Sequence, residues 1–151
     1  MEPFISNIDF EVPKQKNNIK QYKNFNKIFK KTGILETFKI KDNNSVIDLA
    51  LKICNRNLKN LKNCDTLIFV TQTPTYLLPS CSSIVQGKLG LKQEILTFDI
   101  NMGCSGFVHG LSIASSLIKS KVSKNVAWSV YCAVCHSTYE CTFANNGVHT
   151  V

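Results

Sequence analysis

The sequence has few of the features that mark membrane, fibrous or disordered chains. Its 151 residues include only 4 prolines, 7 glycines and 1 tryptophan, and no apolar run reaches the roughly 18 residues that a membrane-spanning helix needs. Residues 1–7 lack the basic start and apolar stretch of a secretory signal. Hydrophobic residues make up 44% and charged residues 19%, which argues against disorder, collagen and coiled coil. We expect a cytoplasmic globular protein whose cysteines are reduced.

Acidic residues and arginine are also scarce. Lysine and arginine number 18 and acids 10, giving a net charge of +8, and Arg56 is the one arginine. Most of the excess positive charge lies before residue 63. Bidentate recognition of phosphate and guanine favours arginine, and no helix-turn-helix or aromatic-basic pattern is present. We therefore expect no nucleic-acid and no membrane partner. The basic first third would attract an acidic protein, or it reflects a coding bias toward lysine and asparagine.

Hydrophobic periodicity predicts helices that alternate with strands. In residues 45–59, Ser45 is suited to the N-cap position and Asp48 to a capping box, and Gly90 is suited to end a later helix. Alternation of this kind predicts a layered α/β fold with a mixed or parallel sheet and right-handed crossovers. The predicted helices are 18–31, 45–59, 80–89 and 105–118, and the predicted strands are 67–70, 95–100 and 126–134, with a proline-containing loop at 73–79.

The most informative segment is a cysteine at a predicted strand-to-helix turn. The strand ends at Ile100, and the helix begins just beyond Cys104, which lies between Gly103 and Gly106. A thiol at a helix N-terminus faces unpaired N–H groups and the positive end of the helix dipole, which favour the nucleophilic thiolate. The Cys104 N–H could also donate to an acyl oxyanion. The alternative interpretation is a buried structural cysteine.

Three segments together carry a family resemblance. TPTYLLPS (73–80), QGKLG (86–90) and FDINMGCSGF (98–107) closely resemble ketoacyl-acyl-carrier-protein synthase III of the thiolase superfamily. The resemblance extends over roughly residues 5–126 and includes KTGI at 31–34. It implies the N-terminal part of a thiolase-like layered fold, an incomplete half. Residues 127–151 diverge from the family, and we interpret them as the product of a truncated or frame-shifted reading.

The resemblance implies an acyltransferase that uses no cofactor. Cys104 matches the family's nucleophile, which takes an acyl group from a thioester such as acyl-coenzyme A. Condensation with malonyl-acyl-carrier protein, with loss of carbon dioxide, then gives 3-oxoacyl-acyl-carrier protein, a step of fatty acid biosynthesis. That step needs a histidine and an asparagine from the family's second half, which have no match here. His109 is interpreted as an ordinary helix residue, so an alternative is a non-catalytic fragment.

Two further positions match substrate-binding residues of the family. Leu78 corresponds to a residue that reaches across a homodimer interface toward the partner's acyl pocket, although it could also pack locally. Lys27 and Lys31 stand where the family has tryptophan and arginine, which grip the adenine end of coenzyme A. Lys31 can still meet a phosphate as a point charge, whereas Lys27 cannot stack on adenine. A primer held on acyl carrier protein, or an unusual primer, is therefore an alternative, as is a solvated helix face for both lysines.

The C-terminal tail offers a metal-binding alternative. Cys132, Cys135, His136 and Cys141 are ligand types that suit zinc, although their spacing is not a standard one. Residues 132–136 also match the C-x-x-C-H signature of c-type haem attachment. The missing export signal and the predicted strand both disfavour haem, and we expect no metal at the site around Cys104.

Overall fold

The computed structural model describes residues 2–17, 20, 23–32, 37–39, 45–132 and 137–144. The elements in chain order are β1 (Phe4–Glu11), β2 (Gln15–Asn17), α1 (Phe25–Thr32), β3 (Thr37–Lys39), α2 (Val46–Arg56), α3 (Leu58–Leu61), β4 (Thr66–Thr71), α4 (Cys81–Leu89), β5 (Leu96–Ile100), α5 (Gly106–Lys119), β6 (Asn125–Cys132) and β7 (Ser137–Ala144). Within this part of the chain, no helix is both long and apolar enough to cross a membrane.

A five-stranded mixed sheet with the order β1-β7-β6-β4-β5 organises the fold. β4 runs parallel to both β5 and β6, and the connections between these strands contain α4 and α5. β7 is antiparallel to β6 on one side and to β1 on the other. β2 and β3 form a separate antiparallel pair. The sheet therefore confirms the α/β prediction made from the alternating helices and strands.

β4 lies at the centre of the core. All six of its residues are buried, because it has a parallel neighbour on each side and helices on both faces. Leu67 and Phe69 pack in a cluster with residues of α2 and α4. Ile68 and Val70 pack in a second cluster with α5 and Trp128. The result is three layers, with α2 and α4 on one face of the sheet and α5 on the other.

The capping box predicted at the start of α2 is present. Asp48 N–H donates to Ser45 Oγ at 3.3 Å, and Ser45 N–H donates to Asp48 Oδ2 at 2.7 Å. The latter bond is the main reason that the pKa of Asp48 lies below its ordinary value. The helix ends at Arg56 rather than at residue 59. Asn57 interrupts it, because its side chain donates to the Ile53 carbonyl at 3.1 Å and thereby competes with the backbone.

One other predicted element differs from the structure, and two strands were not predicted. The helix expected over 18–31 is observed as α1 from Phe25 to Thr32, and residues 23–24 form a turn before it; residues 18, 19, 21 and 22 lie outside the described part. β1 and β7 were not predicted at all. β1 depends on β7, which is its only neighbour in the order of this sheet, whereas β7 also pairs with β6. The predicted domain boundary at residue 126 falls inside β6.

Candidate functional site

The carboxyl ends of the parallel strands place two segments side by side. Val70 on β4 pairs with Ile100 on β5, so residues 72–79 and the turn at 101–105 leave the sheet at the same edge. Ligands of open α/β sheets bind at this edge. Gln72 and Gly103 are in contact there: a Cβ added to Gly103 would collide with the amide oxygen of Gln72.

Cys104 lies in this turn and is exposed. The turn is closed by the Met102 N–H, which donates to the Ile100 carbonyl at 3.0 Å, and by the Gly106 N–H, which donates to the Gly103 carbonyl at 2.8 Å. α5 begins two residues later, at Gly106. The thiol therefore sits just before a helix N-terminus, as the sequence predicted. Its exposure is inconsistent with the alternative of a buried structural cysteine.

The two glycines beside Cys104 are explained by close packing. Neither has the positive φ found at Gly90, whose φ is +60°. A Cβ on Gly106 would collide with Val70 Cγ1 on β4 and would approach Met102 Cβ to 3.1 Å. The first residue of α5 therefore lies directly on the central strand. At both glycines, the atoms that lie too close for a Cβ belong to the protein itself.

The loop at 73–79 presents apolar side chains at this edge. Tyr76, Leu77 and Leu78 are all exposed, Leu78 to 87%, and the Leu78–Pro79 peptide is cis. Local packing of Leu78, one of the two interpretations left open by the sequence, does not occur. The structure thus places Leu78 and Cys104 in segments that leave the same sheet edge. Lys27 and Lys31 lie in another element, α1, where both side chains are exposed.

Sequence reasoning missed the role of Asp99. Its carboxylate accepts hydrogen bonds from the backbone N–H groups of Cys81 at 2.6 Å and of Ser82 at 2.9 Å. The Ser83 N–H donates to Ser80 Oγ at 3.2 Å. These bonds satisfy the first N–H groups of α4, which have no partner within the helix. The available signal was a carboxylate within an otherwise apolar strand, where it requires partners.

His109 is bonded within its own helix. Its Nδ1 lies 2.8 Å from the Ser105 carbonyl oxygen, and the side chain is exposed on α5. This contact agrees with the interpretation of His109 as an ordinary helix residue.

The strand register gives the backbone positions of two of the four residues in the zinc alternative. Cys132 pairs with Ser137, whereas Cys141 pairs with Trp128. The two cysteines are therefore about four residues, or roughly 13 Å, apart along the hairpin. Cys135 and His136 lie outside the described residues. Within the described residues, no group of three or more His, Cys, Asp or Glu is placed to hold a metal.

Comparison with solved structures identifies the fold. A 3-oxoacyl-(acyl-carrier protein) synthase from Burkholderia xenovorans matches with a TM-score of 0.82 and 23% identity, over 95% of this chain and 48% of that one. A synthase III from Aquifex aeolicus matches with a TM-score of 0.82 and 23% identity, over 97% and 55% of the two chains. The fold is thiolase-like α/β, as predicted.

Within that class, sequence similarity points to one family. The family model "3-Oxoacyl-[acyl-carrier-protein (ACP)] synthase III" matches residues 98–129, which include Cys104. The beta-ketoacyl-[acyl-carrier-protein] synthase III of Fusobacterium nucleatum is 39% identical over 100 residues, and that of Ehrlichia canis is 44% identical over 97. These matches cover 64% and 62% of this chain but only 30% of each relative. The chain is similar to beta-ketoacyl-[acyl-carrier-protein] synthase III, and the resemblance noted in its sequence is confirmed.

Proposed function

We propose that this chain is an acyl-accepting part of a synthase III-type acyltransferase and that Cys104 is its nucleophile. The observation that carries the proposal is the exposed Cys104 thiol immediately before the N-terminus of α5. The thiol is open to solvent at the sheet edge where ligands of open α/β sheets bind, so an acyl thioester can reach it. The family match over residues 98–129 supports the same assignment.

The proposed step is transfer of an acyl group between two thiols. The Cys104 thiol loses its proton, and the sulfur attacks the carbonyl carbon of an acyl thioester. The carbonyl oxygen becomes an oxyanion, to which the Cys104 N–H can donate. When the carbonyl re-forms, the carbon–sulfur bond to the carrier breaks, and the leaving thiolate takes up a proton. The products are acyl-Cys104 and the free thiol of coenzyme A or of acyl carrier protein.

Condensation is the part of the family reaction that we do not assign to these 151 residues. By resemblance, the acyl-enzyme would react with malonyl-acyl-carrier protein, with loss of carbon dioxide, as part of fatty acid biosynthesis. The family's histidine and asparagine for that step have no match in the sequence, and the chain spans about half the length of the solved structures it matches. We expect the chain in isolation to accept an acyl group without forming 3-oxoacyl product.

The proposed partners follow from the exposed surfaces. Lys27, Lys30 and Lys31 are exposed on α1, and a basic surface attracts an acidic carrier protein by electrostatic steering. Lys31 is proposed to meet a phosphate of the acyl carrier. Leu78 is proposed to contact the acyl pocket of a second copy in a homodimer, which agrees with its 87% exposure.

Intact-mass measurement tests the nucleophile. The purified chain is incubated with acetyl-coenzyme A and separately with acyl-loaded carrier protein, and we expect a single acyl adduct in at least one case. Cys104→Ser should remove the adduct. Cys64→Ser is the matched control, because Cys64 is a buried thiol that precedes β4, at the end of that strand away from the site, and its loss should leave the adduct in place. An adduct that survives Cys104→Ser would refute the assignment.

A further inference from the structure

α5 lies on the sheet through two of its glycines. A Cβ on Gly106 would collide with Val70 on β4, and a Cβ on Gly110 would lie 2.6 Å from the indole Cε2 of Trp128 on β6 and closer still to its Nε1. Both glycines are buried, and they are four residues, or about one helical turn, apart. The first two turns of α5 therefore rest on one side chain from each of two neighbouring strands.

Trp128 is the side chain that α5 contacts in both of these turns. It is fully buried, and its ring centroid lies 4.7 Å from that of Phe107, with the two ring planes inclined by 54°. Ala114 and Ile118, further along α5, belong to the same buried cluster. A rigid indole that is enclosed in a densely packed interior cannot move aside for an added methyl group. Trp128 therefore sets how closely α5 approaches β6, and the missing Cβ of Gly110 leaves the space that the indole fills.

The Cys104 turn is joined to this part of α5 by hydrogen bonds. The Gly106 N–H donates to the Gly103 carbonyl at 2.8 Å, and the His109 N–H donates to the Ser105 carbonyl at 3.1 Å. The residues on both sides of Cys104 are thus bonded to the first turn of the helix, so a shift of α5 on the sheet also moves Cys104. Displacement of a reacting group by about 1 Å can cost roughly 100-fold in rate.

We propose that Trp128 is a positioning residue for Cys104. By filling the space between β6 and Gly110, it sets the depth of α5 on the sheet and, through the helix, the place of the Cys104 turn at the sheet edge. The inference rests on the proposed function, because the thiol that Trp128 positions is the one proposed to accept the acyl group. Its geometric part stands on the contacts of Trp128 with Phe107 and Gly110 alone.

The test exchanges bulk between the two sides of this contact. Gly110→Ala adds a methyl group against the indole, Trp128→Leu removes the indole atoms that the methyl group would strike, and a double variant combines the two changes. Gly87→Ala is the control for the glycine, since a Cβ there meets nothing within 4 Å. Phe69→Leu is the control for the core, since Phe69 is fully buried but packs with α2 and α4 on the other face of the sheet. The rate at which acetyl-coenzyme A acylates Cys104 is measured by intact mass, at a temperature where circular dichroism shows each variant folded.

We expect Gly110→Ala to lower the acylation rate about tenfold and Trp128→Leu about fivefold, because both displace the Cys104 turn. In the Trp128→Leu background, Gly110→Ala should instead raise the rate, since its methyl group fills part of the vacated space. Gly87→Ala and Phe69→Leu should stay within about twofold of the wild-type rate, because neither touches α5.

Two results would overturn the inference. One is a Gly110→Ala loss that is equal in the wild-type and Trp128→Leu backgrounds, and the other is a Phe69→Leu loss as large as that of Trp128→Leu. If Gly110→Ala does not fold, the second comparison decides, and a loss confined to Trp128→Leu supports the inference.

The two proposals fail in different ways. A wild-type chain that takes no acyl group from a thioester would refute the proposed function. The role of Trp128 is then decided by backbone hydrogen exchange of the Met102 and Gly106 amides, whose bonds close the Cys104 turn. Their exchange should be about fivefold faster in Trp128→Leu than in Phe69→Leu, and slower again in the double variant. Equal exchange in Trp128→Leu and Phe69→Leu would refute the positioning role.

Discussion

Replacing Gly106 by alanine should disturb the turn that carries Cys104. The added Cβ would collide with Val70 Cγ1, on a fully buried side chain of the central strand, and would lie 3.1 Å from Met102 Cβ. Overpacking of a core typically costs about 1–3 kcal/mol. The better helix propensity of alanine returns up to about 1 kcal/mol. We therefore expect a net loss of about 1–2 kcal/mol in the free energy of unfolding.

Gly87→Ala provides the matched control. Gly87 lies within α4, and a Cβ there would meet nothing within 4 Å. The same chemical change should thus stabilise the protein by about 0.5–1 kcal/mol. For a chain of this size, 1 kcal/mol corresponds to about 2–4 °C in Tm. Thermal unfolding followed by circular dichroism should therefore move the two variants in opposite directions.

A double variant separates crowding from other causes. Val70→Ala removes the methyl group that the new Cβ would strike, so Gly106→Ala should cost less in that background than in the wild type. The acylation rate of Cys104 should fall in Gly106→Ala and remain near the wild-type rate in Gly87→Ala, because only the former moves the turn. A Gly106→Ala chain with wild-type Tm and wild-type acylation would show that the close packing of α5 on β4 has been misjudged.

Three other variants test separate parts of the reasoning. Leu78→Ser should change Tm by less than about 2 °C, since an exposed side chain contributes little to stability. The same variant should weaken self-association of the protein, measured by sedimentation equilibrium, and unchanged association would argue against the proposed dimer contact. Asp48→Asn should lower stability at neutral pH. Folding lowers the pKa of Asp48, so its carboxylate stabilises the fold at pH values above the ordinary pKa of 3.8 and loses this effect as the pH falls through the lowered pKa. Urea titrations should therefore show the difference in unfolding free energy between variant and wild type disappearing at acid pH. A difference that does not depend on pH would contradict the capping box. Lys31→Ala should raise the acyl-coenzyme A concentration needed for half-maximal acylation, and added salt should remove the difference; an equal effect of Lys30→Ala would leave only a general charge contribution.

Local signals made much of this fold predictable. Ser45 and Asp48 are three residues apart and form the expected capping box. Gly90 has the positive φ that its place after α4 indicated. The continuous apolar run at 67–70 is buried on both faces, as a central parallel strand should be. In each case the local conformation is determined by a few residues that are neighbours in the sequence.

The missed features depend on partners distant in sequence. β1 is a strand because it pairs with β7. No pattern within residues 4–11 indicates which segment the strand pairs with. Asp99 has its role because the start of α4, 17 and 18 residues away, lies over it. At the candidate site, the exposed thiol was predictable from the turn, whereas the contact between Gln72 and Gly103 depends on strand register.

The pairing of β1 with β7 also bears on how the chain assembles during synthesis. Phe4 pairs with Ala144, so β1 cannot complete its pairing with β7 until residue 144 has left the ribosome. Closing a loop of about 140 residues costs roughly 2 kcal/mol more in chain entropy than closing one of about 10. Ile8 and Phe10 remain exposed even afterwards. We expect the β4–β5–β6 layer to form first, and the nascent N-terminal strand to be the segment most in need of protection by chaperones.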